Sequence, residues 1–150
     1  MPSAKERPAP DPPDAIAGTV IASYGQRGVV ELATGQQVRY LLKGRQLRAV
    51  CGDAVTCFPQ AGTSEVLLTA LRPRTNALAR PNGRGRTEVL AANIDRIVVV
   101  TAAEPPPDYF MLDRFLCAAE LMSAVAAIVV NKADLELPDG AELADYARIG

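Results

Sequence analysis

The hydrophobic pattern of this chain changes once, near residue 90, and the change predicts two structural modules. Before it, short runs rich in β-forming residues recur at roughly ten-residue spacing, with glycine-bearing turns between them. The runs are AGTVIAS, GVVEL, QVRYLL, AVTCF and EVLLTAL, all between residues 16 and 71. Five strands at this spacing predict a small β-barrel. An OB-fold suits the length, and an SH3-like barrel fits almost as well on pattern alone.

After residue 90 the pattern is that of an α/β protein. DRIVVVTAA and VAAIVV are continuous apolar runs, as expected of strands buried on both faces. A helix is predicted between them, with Asp108 as its N-cap. Its apolar face is predicted to comprise Leu112, Phe115, Leu116, Ala119 and Met122. Strand, helix and strand in this order form a βαβ unit with parallel strands, and DGAELADYARIG is predicted to begin another helix.

Charge is distributed unevenly over the two modules. The whole chain has a net charge of −1, but residues 1–90 hold 12 Lys and Arg against 7 Asp and Glu. Residues 91–150 hold 4 against 10. A basic first module indicates a surface that faces phosphate. Residues 1–15, which are rich in proline, are predicted to be a disordered tail.

Several protein classes are disfavoured by composition. No apolar run approaches the roughly 18 residues that a membrane span needs, and the N-terminus lacks the apolar core of a secretory signal. Three cysteines, no CxxC pair and no histidine make disulfides and a zinc site unexpected. We therefore expect a cytoplasmic protein that does not enter membranes. The cysteines are predicted to be packing residues, and Tyr24 and Tyr40 are predicted to lie in the core rather than to stack on bases.

The motif Asn131-Lys132-Ala133-Asp134 follows the second apolar run directly. In open α/β sheets, ligands bind at the carboxyl ends of strands. A carboxylate at Asp134 can accept both N1–H and N2–H of guanine, and the Asn131 amide can meet the O6 and N7 acceptors. The stem of Lys132 can lie over the base. Adenine would leave buried groups unpaired at about 1–3 kcal/mol each, so these three residues are predicted to bind guanine.

The usual phosphate-binding parts of a GTPase are absent from these residues. No glycine is followed by lysine, so there is no G-x-x-x-x-G-K-[ST] loop, and no D-x-x-G segment occurs. Both would precede NKxD in the usual order. We therefore assign no catalytic residue to this chain. Either the guanine motif is accidental or the GTPase domain is circularly permuted, with its phosphate-binding part beyond Gly150.

Motifs along most of the chain resemble the ribosome small subunit-dependent GTPase A family, whose members are circularly permuted GTPases with an N-terminal OB domain. The matching segments are Gly18-Thr19-Val20, Gly52-Asp53-Ala54-Val55, Arg-x-Asn-x-Leu-x-Arg-Pro from Arg74 to Pro81, Ala92-Asn93-Ile94-Asp95, Leu112-Asp113-Arg114-Phe115-Leu116, and Asn131-Lys132-Ala133-Asp134-Leu135. One departure is Ala54, where the family usually has an aromatic residue. The resemblance covers about residues 16–150.

This resemblance implies a β-barrel of the OB-fold type followed by the first βαβ part of a circularly permuted α/β P-loop GTPase domain. It implies GTP binding and hydrolysis, with Mg²⁺ as a cofactor, and a role in late maturation of the small ribosomal subunit. The family's P-loop, switch segment and zinc ligands would follow Gly150, so this chain is expected to be an N-terminal part and to be inactive alone. The expected partners are the small ribosomal subunit and its rRNA, and a monomer is expected.

Basic residues are predicted to carry the RNA binding. The expected domains are an OB-fold over 16–71, a basic linker over 72–90 and a partial GTPase domain over 91–150. The residues predicted to bind RNA are Arg45, Arg48, Arg72, Arg74, Arg80, Arg84 and Arg86. Because aromatic residues are few, contacts are expected to reach phosphate and shape more than base sequence. The alternative function is a non-catalytic OB-fold module that binds RNA.

Overall fold

Five strands at the start of the chain close into a barrel in the computed structural model, which describes residues 13–135 and 140–149. The barrel strands are β1 (Ile16–Tyr24), β2 (Arg27–Leu32), β3 (Gln37–Leu42), β4 (Ala54–Pro59) and β5 (Val66–Leu71). Their order around the barrel is β1-β2-β3-β5-β4, and β1 pairs with β4 to close it. All pairings are antiparallel except that of β3 with β5. The spacing of the runs predicted a small barrel and left an SH3-like barrel open, and the structure confirms the OB-fold that the family resemblance implied.

Alternation along the barrel strands builds a small apolar core. Its buried residues are Val20, Val30, Tyr40, Leu42, Ala49, Val55, Cys57, Val66 and Leu68. Tyr40 is fully buried as predicted, and its ring passes over Gly28, where a Cβ would overlap it. The prediction for Tyr24 is wrong: its side chain is 75% exposed, because it ends β1 beside a turn rather than pointing inward. Cys51 and Cys117 are also exposed, so only Cys57 is a buried packing residue.

The segment predicted as a basic linker contains a β-hairpin. Its strands are β6 (Ala77–Pro81) and β7 (Thr87–Ala92), which pair antiparallel. The chain divides into two compact units, and the first includes the barrel and this hairpin and ends at Asn93. Ala92 N–H donates to the Cys51 carbonyl at 2.9 Å, so the end of the hairpin is hydrogen-bonded to the loop between β3 and β4.

The second unit begins at Ile94 and is a βαβ unit followed by a helix. Its elements are β8 (Arg96–Thr101), α1 (Tyr109–Leu121), β9 (Val125–Val130) and α2 (Gly140–Ile149). β8 and β9 are parallel as predicted, and Asp108 caps α1 by accepting from the Met111 N–H at 3.1 Å. Tyr146 in α2 donates its hydroxyl proton to Asp113 at 2.7 Å.

The two strands of this unit are not buried on both faces. α1 packs against both strands and buries Leu112 and Ala119, whereas Phe115 is 37% exposed. Val100 is 61% exposed and Val125 58% exposed, because within the described residues no element covers the other face of the sheet. No helix in the described ranges is long and apolar enough to cross a membrane.

Candidate functional site

The NKAD loop begins where β9 ends, at the carboxyl edge of the β8–β9 sheet. The Asn131 backbone N–H donates to the Thr101 carbonyl at 2.7 Å, which ties the start of the loop to the end of β8. Asn131 Oδ1 accepts from the Lys132 N–H at 2.8 Å. Lys132 adopts a left-handed φ of 57°, and the Leu135 N–H donates to its carbonyl at 2.9 Å. The loop is therefore a tight turn held by its own hydrogen bonds.

The functional groups of the NKAD loop lie together on the surface. Lys132 Nζ donates to the Glu104 carbonyl at 2.6 Å, so the Lys132 side chain extends from the NKAD loop to the segment that follows β8. Asn131, Lys132 and Asp134 are all exposed. Among the described residues no hydrogen bond engages the Asp134 carboxylate, and both of its oxygens can accept from a ligand. The structure thus brings the three predicted guanine-binding residues into one loop.

A second arrangement of polar residues joins the barrel to the hairpin. Arg74 Nε donates to Asp53 Oδ1 at 2.7 Å and Arg74 Nη2 donates to Asp53 Oδ2 at 2.8 Å, a bidentate ion pair. Asp53 is fully buried, and its Oδ2 also accepts from the Val50 N–H at 2.9 Å. The hydrogen bonds to Asp53 raise the pKa of Arg74. Arg74, predicted to bind RNA, has its guanidinium engaged inside this unit.

Asn93 completes the connection between the barrel and the hairpin. Its Oδ1 accepts from the backbone N–H of Thr75 at 2.8 Å and from the Thr75 hydroxyl at 3.1 Å, and its Nδ2 donates to the Gly52 carbonyl at 2.8 Å. Gly52 has a φ of 87°, and a Cβ there would overlap the Ala92 carbonyl oxygen. Periodicity does not reveal this arrangement. The signal in the sequence is that Gly52, Asp53, Arg74 and Asn93 all belong to segments that match the family.

The remaining predicted RNA-binding arginines are exposed in the first unit. Arg45 and Arg48 lie between β3 and β4, and Arg72 follows β5. The others lie on the hairpin: Arg80, Arg84 and Arg86. Arg80 is 65% exposed and makes only a loose ion pair with Glu88, at 3.9 Å.

One side chain organises the tip of the hairpin. Asn82 Oδ1 accepts from the backbone N–H groups of Arg84 and Arg86, each at 3.0 Å. The Gly85 N–H donates to the Asn82 carbonyl at 2.9 Å, and Gly85 has a φ of 70°. The basic tip therefore has a defined backbone geometry.

The described residues do not form a metal site. They include no group of three or more His, Cys, Asp or Glu side chains arranged to hold an ion. No chemical step is assigned to the zinc or Mg²⁺ that the family resemblance implies.

Comparisons with known proteins relate this chain to one family of GTPases. A family model described as RsgA GTPase matches residues 71–150. The small ribosomal subunit biogenesis GTPase RsgA of Pseudomonas aeruginosa (strain UCBPP-PA14) is 40% identical over 126 residues, which are 83% of this chain and 37% of that relative. The protein of the same name from Yersinia enterocolitica is 36% identical over 147 residues, 91% of this chain and 42% of the relative. The chain thus spans about two fifths of the length of these relatives.

A solved structure has the same fold. It is that of YloQ, a circularly permuted GTPase, which superposes with a TM-score of 0.61 at 23% identity. The match covers 89% of this chain and 46% of YloQ.

A barrel followed by a βαβ unit is the fold that this chain shares with YloQ, a circularly permuted GTPase, and in this chain an NKxD loop follows the second strand of the unit. The RsgA GTPase family model matches more than half of the residues, which identifies the family within this fold. The chain belongs to the RsgA GTPase family.

Proposed function

We propose that this chain is the guanine-recognising and RNA-binding part of a GTPase that acts in small ribosomal subunit biogenesis. The observation that carries the proposal is the NKAD loop, placed at the carboxyl edge of two parallel strands with the Asp134 carboxylate exposed. Asp134 accepts N1–H and N2–H of guanine, and Asn131 donates toward O6 and N7. The stem of Lys132, directed to the Glu104 carbonyl, provides an apolar surface beside the base.

The first unit is proposed to bind small-subunit rRNA. Its exposed arginines on the hairpin and around β3 and β4 provide positive charge for phosphate contacts. Arg74 is left out of this surface because its guanidinium is engaged by the buried Asp53. The proposed RNA-contacting residues are therefore Arg45, Arg48, Arg72, Arg80, Arg84 and Arg86. The protein is proposed to act in the cytoplasm as a monomer.

Guanine recognition can be tested by exchanging the specificity of the loop. Xanthine carries a carbonyl where guanine carries the 2-amino group, so Asp134→Asn should turn an acceptor into a donor that suits xanthine. Titrations of GDP, XDP and ADP, followed through the backbone amide NMR signals of residues 131–135, should show weak binding with GDP preferred. Asp134→Asn should prefer XDP. Equal responses to GDP and ADP in the unmodified chain would refute the guanine assignment.

RNA binding can be tested through its salt dependence. If about five phosphates are engaged, log K should fall with log[salt] at a slope of roughly −3 to −5. Replacing Arg80, Arg84 and Arg86 together by Ala should flatten that slope. An unchanged slope would show that the hairpin does not contact the RNA backbone.

Hydrolysis is not expected from these residues alone. Phosphoryl transfer depends on positioned charges around the phosphates and Mg²⁺, and the sequence contains no G-x-x-x-x-G-K-[ST] loop to supply them. The purified chain should release no phosphate from GTP above buffer. Mg²⁺-dependent release that is lost in Asp134→Asn would contradict this. RNA binding without any response to guanine nucleotides would favour the second candidate, a non-catalytic OB-fold module that binds RNA.

A further inference from the structure

A groove on the outside of the barrel is lined by aromatic, basic and acidic side chains to which no role has been given above. It has a volume of about 500 Å³, and its polar lining comes from the β1–β2 turn, from β2 and β3, and from the residue before β5. The lining side chains that could contact a ligand through a ring, a charge or a hydrogen bond are Tyr24, Gln26, Arg27, Arg39 and Glu65. We propose that this surface, the Tyr24 groove, binds one unpaired RNA nucleotide and prefers cytosine to uracil. The proposal rests on RNA binding by the barrel, as proposed above.

Tyr24 provides a face on which a base can stack. Its side chain is 75% exposed, whereas Tyr40, which also lines the groove, is fully buried. Gly25 follows with a φ of 77°, so the chain turns sharply and leaves Tyr24 at the rim of the barrel. No hydrogen bond holds the Tyr24 hydroxyl within the described ranges. Stacking of unpaired bases on exposed aromatic rings is how OB-type barrels hold single strands.

Two arginines on the same outer face can hold the phosphates. Arg27 and Val29 are two residues apart on β2, so their side chains point to the same face of the sheet. Arg39 on β3 is the cross-strand partner of Val29, so its side chain lies on that face as well. Both guanidinium groups are exposed. Neither forms an ion pair with any described residue, although Glu65 lines the same groove. Their charge therefore remains available to a nucleotide backbone.

Glu65 provides an acceptor for the edge of a base. It is half-buried and directly precedes Val66, which pairs with Tyr40 on the neighbouring parallel strand. Among the described residues its carboxylate accepts no hydrogen bond. The 4-amino group of cytosine can donate to a carboxylate. Uracil has a carbonyl oxygen at that position, which would face the carboxylate with like partial charge.

The test compares oligocytidine and oligouridine of equal length and label, because the two differ at the base edge that Glu65 would meet. The full chain should bind oligocytidine about 5-fold more tightly, the difference expected for one hydrogen bond. Tyr24→Ala should weaken binding of both by about 10-fold or more without changing the salt slope, since no phosphate contact is lost. Tyr24→Phe keeps the ring and should remain within about 2-fold of the unmodified chain.

The remaining variants separate charge from base recognition. Arg39→Ala should reduce the magnitude of the salt slope by about 1. Glu65→Gln, which preserves shape and offers a donor, should abolish or reverse the preference for cytosine. Unchanged RNA affinity in Tyr24→Ala would refute the proposal that the Tyr24 groove binds a nucleotide. An unchanged ratio of oligocytidine to oligouridine affinity in Glu65→Gln would refute it as well. If those two variants bind normally while the Arg80, Arg84 and Arg86 triple variant loses RNA, the proposed function stands and the groove fails. The reverse pattern supports the groove and refutes the hairpin surface.

Discussion

At the residue scale, the ion pair of Arg74 with Asp53 shows how burial assigns a role to a charged side chain. The Asp53 carboxylate has no exposure and is satisfied by two guanidinium donors and the Val50 N–H. Removal of one partner from such a pair leaves a buried charge without compensation. Arg80 has the same side chain but lies on the surface, where water screens its 3.9 Å contact with Glu88.

Arg74→Ala should therefore destabilise the first unit by about 3 kcal/mol, because Asp53 would remain buried and charged. Arg80→Ala, the matched control, should change the free energy of unfolding by less than about 0.5 kcal/mol. Urea denaturation followed by circular dichroism measures both. Equal losses in the two variants would show that the buried pair adds nothing to stability.

The Cys57 thiol should be unreactive in the folded protein. Burial raises the pKa of Cys57 from 9.0 to about 11, so its thiolate is scarce at neutral pH. Stability that depends on the neutral thiol is fully present below the unfolded pKa near 9.0 and is lost as the pH rises through about 11. A disulfide reagent at about pH 8 should label the exposed Cys51 and Cys117 quickly and Cys57 only on unfolding. Rapid labelling of all three would contradict this.

At the scale of elements, the β6–β7 hairpin converts a run of arginines into a structured surface. Its base is held to the barrel through Ala92, Asn93 and Gly52. Its tip is shaped by Asn82, whose carboxamide oxygen accepts from two backbone amides. An exposed loop that would otherwise lose entropy on binding is thereby partly ordered beforehand, which favours binding of a ligand.

Asn82→Ala should loosen the tip, because the backbone amides of Arg84 and Arg86 would lose their acceptor. Amide hydrogen exchange at these two residues should become about 5-fold faster or more, as expected for loss of a hydrogen bond worth about 1 kcal/mol. Asn82→Asp retains the acceptor and should exchange like the unmodified chain. Exchange in Asn82→Ala that is no faster would show that the β-turn alone holds the tip.

At the scale of the whole chain, the two units differ in how completely each buries its apolar residues. The barrel closes on itself and has a core with several fully buried side chains. The second unit has two strands with α1 against one face, and Val98, Val100, Val125 and Val129 on those strands are 44–61% exposed. An apolar sheet face of this kind normally packs against further elements.

Hydrogen exchange should therefore distinguish the units. Backbone amides in the barrel strands should be strongly protected, whereas those over residues 97–130 should exchange faster, because fewer buried contacts oppose local opening. The measurement uses the intact chain, with the barrel as the internal reference. Equal protection over residues 97–130 would show that the second unit is stable by itself.

Local pattern was sufficient to predict most elements of this protein, but not the β6–β7 hairpin. Alternation and glycine turns predict the five barrel strands, and continuous apolar runs with a capped helix predict the βαβ unit, because these signals act over a few residues. The position of NKAD behind a strand follows from the same order. The hairpin within residues 72–90, the exposure of Tyr24 and the engagement of Arg74 could not be predicted in this way. The hairpin was missed because its segment is rich in arginine, proline and glycine, and Tyr24 is exposed because it ends β1 beside a turn. The engagement of Arg74 depends on contacts between segments distant in sequence, such as Asp53 with Arg74 and Gly52 with Asn93. Only the tertiary structure decides which side chains such contacts bury.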